Sequence, residues 1–281
     1  MKQISILGCG WLGLPLAKAL LKNGFSVKGS TTSNDKLSVI ENLGIQPFWI
    51  VLESNNVSGD IETFLQGSKT LIIDIPPKLR GNSKENFIGK IATLIPFIEK
   101  SKIENVLFVS STSVYGDTPS FDCAQDDTLS VTEETKTCPE TESGRQLVAV
   151  EQLLQTNIHF KTTILRFGGL IGEDRHPIRF LAGRKNLENP KAPINLIHQT
   201  DCIGIIMTIL RQAQIDKWEW NETFNAVAPF HPSREHYYTQ KAIDLGLDLP
   251  EFNDESPNFG KTILSTKVEN ILGYTFSKPN L

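Results

Sequence analysis

Two groups of residues in this 281-residue chain have the types and spacing to do chemistry. The first is Gly8-Cys9-Gly10-Trp11-Leu12-Gly13, a GxGxxG pattern. Between a strand and a helix, that pattern cradles a pyrophosphate. The first glycine turns the chain sharply, the second leaves room for phosphate against the backbone, and the third lets the helix pack closely. The N–H groups and positive dipole end of the helix then face the phosphates. The second group is Ser110-Ser111-Thr112-Ser113-Val114-Tyr115-Gly116. There the Ser111 hydroxyl can hydrogen-bond a reacting oxygen, and Tyr115 can exchange a proton with it. Plainer readings stand beside these: a glycine turn that serves packing alone, a serine that caps a strand end, a tyrosine ring that lines a pocket wall.

The elements around the glycines favour the nucleotide reading. Ile4, Ile6 and Leu7 make an apolar run ahead of Gly8, and Leu14, Ala17, Leu20 and Leu21 follow at helical spacing. Pro15 suits the first turn of a helix, where the N–H it lacks would have no partner. Beyond that helix, strands are predicted at 25–29, 46–52, 70–75 and 105–109, alternating with helices at 35–42, 61–65 and 87–99. The run at 70–75 is continuously apolar, as in a strand buried on both faces of a parallel sheet, and stops at Pro76-Pro77. Such alternation implies an α/β fold, a Rossmann-type doubly wound parallel sheet with right-handed crossovers. Residues 117–142 lack apolar periodicity and read as a long surface loop beside the cleft. A helix at 146–154 and a strand at 162–167 follow. The pattern then becomes irregular, with short strands at 194–197 and 223–227 and helices at 202–212, 234–245 and 267–272. The expected division is a cofactor-binding domain over 1–167 and a small C-terminal α/β lobe over 168–281. That lobe is mainly for substrate, with some elements returning to the core.

Composition sets further bounds. The chain is long enough to bury a large core. Its formal charge of −4 speaks against a nucleic-acid surface. Cys9, Cys123, Cys138 and Cys202 show no CxxC or Cys/His ligand spacing. They read as reduced thiols of a cytoplasmic protein with no metal site. Three glycines and Pro15 interrupt the apolar N-terminus, and Lys18 and Lys22 follow, so it reads as strand and helix, not a signal peptide. No other apolar stretch reaches membrane-spanning length.

Further motifs accumulate in order: Leu165-Arg166-Phe167-Gly168-Gly169-Leu170-Ile171-Gly172, then Arg175-His176-Pro177, Asn195-Leu196-Ile197-His198-Gln199-Thr200-Asp201 and Leu272-Gly273-Tyr274. With the two groups above, the whole chain resembles the extended short-chain dehydrogenase/reductases, the nucleoside-diphosphate-sugar epimerases and dehydratases. Within them it is similar to the atypical YeeZ-like branch. The resemblance implies an NAD(P)-binding, epimerase/dehydratase-like oxidoreductase with a nucleotide-sugar or related hydroxyl/carbonyl substrate, and a homodimer. It places the cofactor against Gly8, Gly10, Trp11, Leu12, Gly13, Thr31, Thr32, Ile75, Pro76 and Ser110. It places substrate near Ser143, Arg175, His176, Asn195 and His198. Arg175 suits a diphosphate through its planar fork, or an ordinary surface ion pair.

The family's catalytic hydroxyl carries over to Ser111, but its Tyr-x-x-x-Lys pair does not. Aligning the following helix on Glu151 puts Ser143 at the tyrosine position and Leu147 at the lysine position. A serine is far too weak an acid to replace the tyrosine, and leucine offers no charge to lower a pKa. Thr112 and Ser113 stand where dehydratases carry Asp-Glu. Tyr115 is therefore the candidate proton donor. An alternative is a catalytically inactive, NAD(P)-dependent sensor or regulatory protein that kept the fold. Tyr237-Tyr238-Thr239-Gln240-Lys241 does contain Tyr-x-x-x-Lys, but reads as an i,i+4 contact on an exposed helix. His198 reads as structural, and Asp201 as a helix N-cap. At the end of the second strand, Gly29, Ser30, Thr31 and Thr32 occupy the place of the acid that NAD sites use. Their hydroxyls, with Lys36 nearby, favour NADP over NAD.

Overall fold

The computed structural model describes residues 2–79, 85–117, 130–214, 219–256 and 259–281. The chain opens on β1 (Gln3–Leu7) and turns into α1 (Gly13–Lys22), whose Leu16, Ala17 and Leu20 are wholly buried. β2 (Ser26–Thr31), α2 (Leu37–Asn42) and β3 (Gln46–Trp49) follow. The strand predicted at 46–52 breaks after Trp49, because Val51–Leu52 (β4) pairs antiparallel with Val57–Ser58 (β5) in a separate hairpin. Then come α3 (Ile61–Leu65), β6 (Thr70–Ile73), α4 (Phe87–Lys100) and β7 (Asn105–Ser111). Side chains cap two of these helix starts: Asp60 accepts from Thr63 N–H, and Asn86 from Gly89 N–H.

The second half of the chain is more broken. It comprises β8 (Ser130–Val131), α5 (Glu142–Gln155), β9 (Lys161–Phe167), β10 (Gly169–Ile171), α6 (Ile178–Leu181) and β11 (Leu196–His198). After these come α7 (Gln199–Gln214), β12 (Thr223–Ala226), α8 (Arg234–Asp244), β13 (Thr262–Ile263) and α9 (Thr266–Leu272).

Seven strands form the central parallel sheet in the order β12-β9-β7-β6-β1-β2-β3. The chain runs outward from β1 through β2 and β3, then crosses back to β6 and continues the other way. The topological switch therefore falls between β1 and β6, and ligands of doubly wound sheets bind outside the strand C-termini at that point. Leu7 pairs with Ile73 there, which sets Gly8 and Asp74 side by side immediately beyond the sheet. β12 belongs to this sheet, at its edge, although its sequence neighbours are the irregular elements of the C-terminal third.

Two compact units are distinguishable. One consists of Met1–Ser111, Thr141–Arg166 and Ile205–Phe224; the other of Thr112–Glu140, Phe167–Gly204 and Asn225–Leu281. The chain thus passes between units near residue 167 and at several other places. The second unit holds the parallel pairs β10–β11 and β13–β8. Its core gathers Ile171, Ile178, Ile194, Leu196, Tyr237, Tyr238 and Ala242.

Three expectations need correcting. The helix placed at 202–212 begins at Gln199, so Asp201 lies inside its first turn and does not cap it. Its buried carboxylate instead accepts from the Tyr274 hydroxyl (2.8 Å) and from the N–H groups of Ser277 (2.6 Å) and Lys278 (3.1 Å), tying down the C-terminal segment. The Tyr237/Lys241 helix is not simply exposed: both tyrosines are buried, while Lys241 Nζ lies 5.9 Å from the Tyr237 ring centroid. Cys9 and Cys202 are buried free thiols, but Cys138 is disulfide-bonded, since spacing along the chain says little about pairs formed through space. Cys123, with residues 118–129 of the predicted 117–142 loop, lies outside the described residues; the described remainder is not all surface loop, since β8 pairs with β13 and buries Val131. Among the described residues, no helix is long and apolar enough to cross a membrane, and no cluster of His, Cys, Asp and Glu could hold a metal ion.

Candidate functional site

The glycine loop is built by steric necessity at two positions and by something else at the third. Gly8 adopts φ +109°, and a Cβ there would sit 2.3 Å from the Asp74 carbonyl oxygen. At Gly13 a Cβ would sit 2.1 Å from the Gly8 carbonyl oxygen, so the first turn of α1 rests directly on the loop. Gly10 differs. It has no positive φ, and a Cβ placed there would meet nothing within 4 Å. The protein's own packing does not demand glycine at position 10, whereas a phosphate lying against that backbone would. Short hydrogen bonds hold the loop: Cys9 N–H to Ser30 carbonyl (2.8 Å), Gly8 N–H to Ser30 Oγ (2.9 Å), Gly10 N–H to Gly8 carbonyl (2.8 Å). α1 carries no acid in its first turn and no side-chain cap from Leu12, so the carboxyl at its positive end comes from outside the helix, from Asp74.

The other predicted cofactor positions ring this loop in the first unit. Thr31 is buried at the end of β2 and its hydroxyl accepts from Ser33 N–H (3.2 Å); Thr32 is exposed, and its carbonyl accepts from Trp49 Nε1 (3.3 Å). Neither residue is acidic, and Asp35 and Lys36 lie on the exposed turn that follows. Ile75 and Pro76 follow β6, where the carboxyl of the half-buried Asp74 lies against Gly13, its Oδ2 2.9 Å from where a Cβ on Gly13 would sit. Sequence reasoning passed over Asp74, which fell within the run at 70–75 predicted as a buried strand. Burial pushes its carboxyl up to about 8, partly offset by the Gly13 N–H. The buried Cys9 thiol is pushed up to about 12, by burial first and then by the charge of Asp74.

At the end of β7, Ser110 does not present its hydroxyl freely. The hydroxyl donates to Glu151 on α5 (2.5 Å), and Glu151 also accepts from Arg166 of β9 through Nε (3.1 Å) and Nη2 (2.6 Å), all three residues being buried. Glu151 therefore faces the ends of β7 and β9. Ser143 and Leu147, at i−8 and i−4 from it, lie on the same helical stripe. That is the face on which the resembling family carries tyrosine and lysine. Here it presents a half-buried serine and a buried leucine. Ser111, the last residue of β7, is half-buried.

The second unit holds the remaining predicted residues. Tyr115 is buried at 3% exposure, and its hydroxyl lies 3.1 Å from the Thr132 carbonyl and 3.0 Å from Asn225 Oδ1, with one proton to donate between them. Its own carbonyl accepts from the buried Lys261 ammonium (2.8 Å), which also pairs with Asp117 (2.6 Å). Asn195 is spent on backbone, donating to the Lys261 carbonyl (2.7 Å) and accepting from Ile263 N–H (2.8 Å). Arg175 is exposed, in a turn closed by reciprocal hydrogen bonds with Gly172. His176 accepts Ile178 N–H at Nδ1 (3.1 Å), so in its neutral form Nε2 carries the proton and donates to the Tyr237 hydroxyl (2.9 Å). Burial, then Lys241 and Arg179, bring His176 down to about 4. Burial likewise pushes the Tyr237 hydroxyl up. His198 meets Thr200 through Nδ1, 3.1 Å from its hydroxyl.

Comparison with known proteins agrees with this picture. The Escherichia coli K12 protein YeeZ is 35% identical over 283 residues, spanning 100% of this chain and 97% of YeeZ. Among solved structures, UDP-glucuronic acid 4-epimerase from Bacillus cereus, in complex with UDP-glucuronic acid and NAD, superposes with a TM-score of 0.76. It is 18% identical and covers 98% of this chain and 94% of its own. UDP-N-acetylglucosamine 4-epimerase from Bacillus cereus superposes with a TM-score of 0.72 at 17% identity, covering 99% and 92%. No family model matches the chain. Sheet order and glycine loop define a Rossmann-type α/β protein with a doubly wound parallel sheet, the fold it shares with these epimerases. Identity over its full length places it further: the chain belongs to the YeeZ family.

Proposed function

We propose that this chain binds a nicotinamide dinucleotide through Gly8–Gly13 and uses it on a hydroxyl or carbonyl group of a nucleotide-sugar or related small molecule. The observation that carries the reading is Gly10. It lies in open space, with no conformational or packing reason to be glycine, in a loop whose other two glycines are sterically required. The nucleotide-sugar epimerase that holds NAD in its crystals lends its fold to the same reading. NADP is the proposed form, because Thr31 and Thr32 put no carboxylate where a 2′-phosphate would meet one. The first unit is the proposed cofactor unit, and the second carries the proposed substrate residues Arg175, His176 and His198.

The dinucleotide, when bound, supplies a hydride acceptor and donor. The chain's own part begins with Ser111, whose hydroxyl holds the reacting oxygen. Proton exchange then falls to water or to Tyr115, since Ser143 and Leu147 cannot supply the usual acid and its charged partner. That deficit favours a second reading, a cofactor-binding sensor without turnover.

The test is equilibrium titration with NADP and NAD, followed by a nucleotide-sugar panel monitored by nicotinamide absorbance and by product isomers. Micromolar binding is expected, lost in Gly10→Val without loss of thermal stability. Turnover that falls at least about tenfold in Ser111→Ala supports the enzyme. A further fall in Tyr115→Phe assigns the proton to Tyr115, and an unchanged rate assigns it to water. Cofactor binding with no turnover across the panel favours the sensor, and absence of binding by either dinucleotide overturns the reading.

A further inference from the structure

Beyond the glycines, the loop is bordered by a carboxyl group, that of Asp74. Register alone places it beside the loop, because Leu7 and Ile73 are paired and the next residues on each strand are Gly8 and Asp74. Asp74 N–H donates to the Leu7 carbonyl (2.9 Å), and a Cβ on Gly8 would strike the Asp74 carbonyl, so this backbone cannot swing away without disturbing the loop. The side chain reaches the first turn of α1. A Cβ on Gly13 would come within 2.9 Å of Asp74 Oδ2, and the Gly13 N–H acts on the carboxyl to lower its pKa. A carboxyl group thus stands against the helix end whose N–H donors a dinucleotide-binding loop offers to pyrophosphate.

We propose that Asp74 is a cofactor-binding residue that meets the diphosphate as a neutral carboxylic acid, so that dinucleotide binding requires the protonated side chain. The proposal rests on the cofactor reading of Gly8–Gly13 given above. Its physical basis is charge. A carboxylate at the same helix end as a diphosphate places like charges together and divides one set of donors between them. A carboxylic acid keeps its carbonyl oxygen for Gly13 N–H and offers its O–H to a phosphate oxygen.

The surroundings support the neutral form. Burial already holds the Asp74 carboxyl up to about 8 before any phosphate arrives. Among the described residues, no cation acts on its carboxyl. The β1–α1 loop contributes Cys9, whose thiol stays protonated with its pKa near 12. The first turn of α1 contributes Gly13, Leu14, Pro15 and Leu16, the turn after β6 contributes Ile75 and Pro76, and β2 contributes Ser30. Cys9 is the titratable group among the described residues that senses the charge of Asp74.

The experiment compares wild type with Asp74→Asn, an isostere that accepts from Gly13 N–H and donates to phosphate at every pH. Dissociation constants for NAD and NADP are measured at about pH 7 and about pH 9. Wild type is expected to bind about tenfold more weakly at the higher pH, and Asp74→Asn to bind equally at both. Calorimetry of wild type in buffers of different ionisation enthalpy provides a readout that needs no variant: close to one proton is taken up per dinucleotide at the higher pH. Binding without proton uptake, or a pH dependence that survives in Asp74→Asn, overturns the role of Asp74 and leaves the cofactor reading standing. No binding of either dinucleotide to either protein at either pH overturns both.

Discussion

Glu151 shows how much one side chain can settle. It sits at 3% exposure and accepts from Ser110 on one strand and Arg166 on another, so a single helix residue joins α5 to β7 and β9. Removing one partner of a buried ion pair leaves the other charge uncompensated, which costs far more than an exposed pair is worth. Glu151→Ala is expected to destabilise the protein by about 3–5 kcal/mol in urea unfolding. Ser110→Ala, which leaves the ion pair intact, should cost about 1 kcal/mol. Equal effects would mean that the hydroxyl, not the ion pair, holds the helix. Tyr115 belongs to the same discussion. Its hydroxyl is committed to Thr132 or Asn225, so Tyr115→Phe is expected to cost about 1 kcal/mol whether or not it alters turnover.

At the scale of elements, the three loop glycines separate by cause. Gly13→Ala pushes a Cβ to 2.1 Å from the Gly8 carbonyl, backbone against backbone, so α1 must shift off the loop. Gly8→Ala adds an unfavourable positive φ to a similar clash. Both should lower thermal stability by several degrees, whereas Gly10→Ala should leave it within about a degree. Equal losses at all three would return Gly10 to a packing role. Most of this arrangement was legible in the sequence, since apolar runs and helical spacing marked β1, α1, β6, α4, β7 and β9. What escaped was through-space pairing. Nothing local marks β10, β13 or β8, strands of two or three residues that exist only because a distant segment lies beside them. The strand predicted at 223–227 is β12, but its place in the central sheet beside β9 was not legible locally. Asp74 was visible as a residue, but its meaning depended on the Leu7–Ile73 register, and Glu151 entered only as an alignment anchor.

At the scale of the molecule, the two units carry titrating groups of opposite sign. Asp74 in the first unit is raised from 3.8 to about 8, so the folded state holds a proton that the unfolded chain releases. Its contribution is present below about pH 4 and is lost as pH rises towards 8. His176 in the second unit is lowered from 6.5 to about 4, so here the unfolded chain holds the extra proton. That contribution is present above about pH 6.5 and is lost as pH falls towards 4. Between those limits the two slopes oppose each other. In wild type their sum is flat from about pH 4 to 6.5 and then falls to about pH 8 as Asp74 acts alone. Asp74→Asn should remove that fall and expose a rise through the acidic window. His176→Gln should do the reverse, with stability declining steadily from about pH 4 to 8. Both groups are half-buried, which reduces each effect below the full linkage value to roughly 1–2 kcal/mol across its window. Urea unfolding of the three proteins at closely spaced pH values measures this directly. Parallel curves for wild type and either variant would show that the corresponding group titrates alike in the folded and unfolded chain.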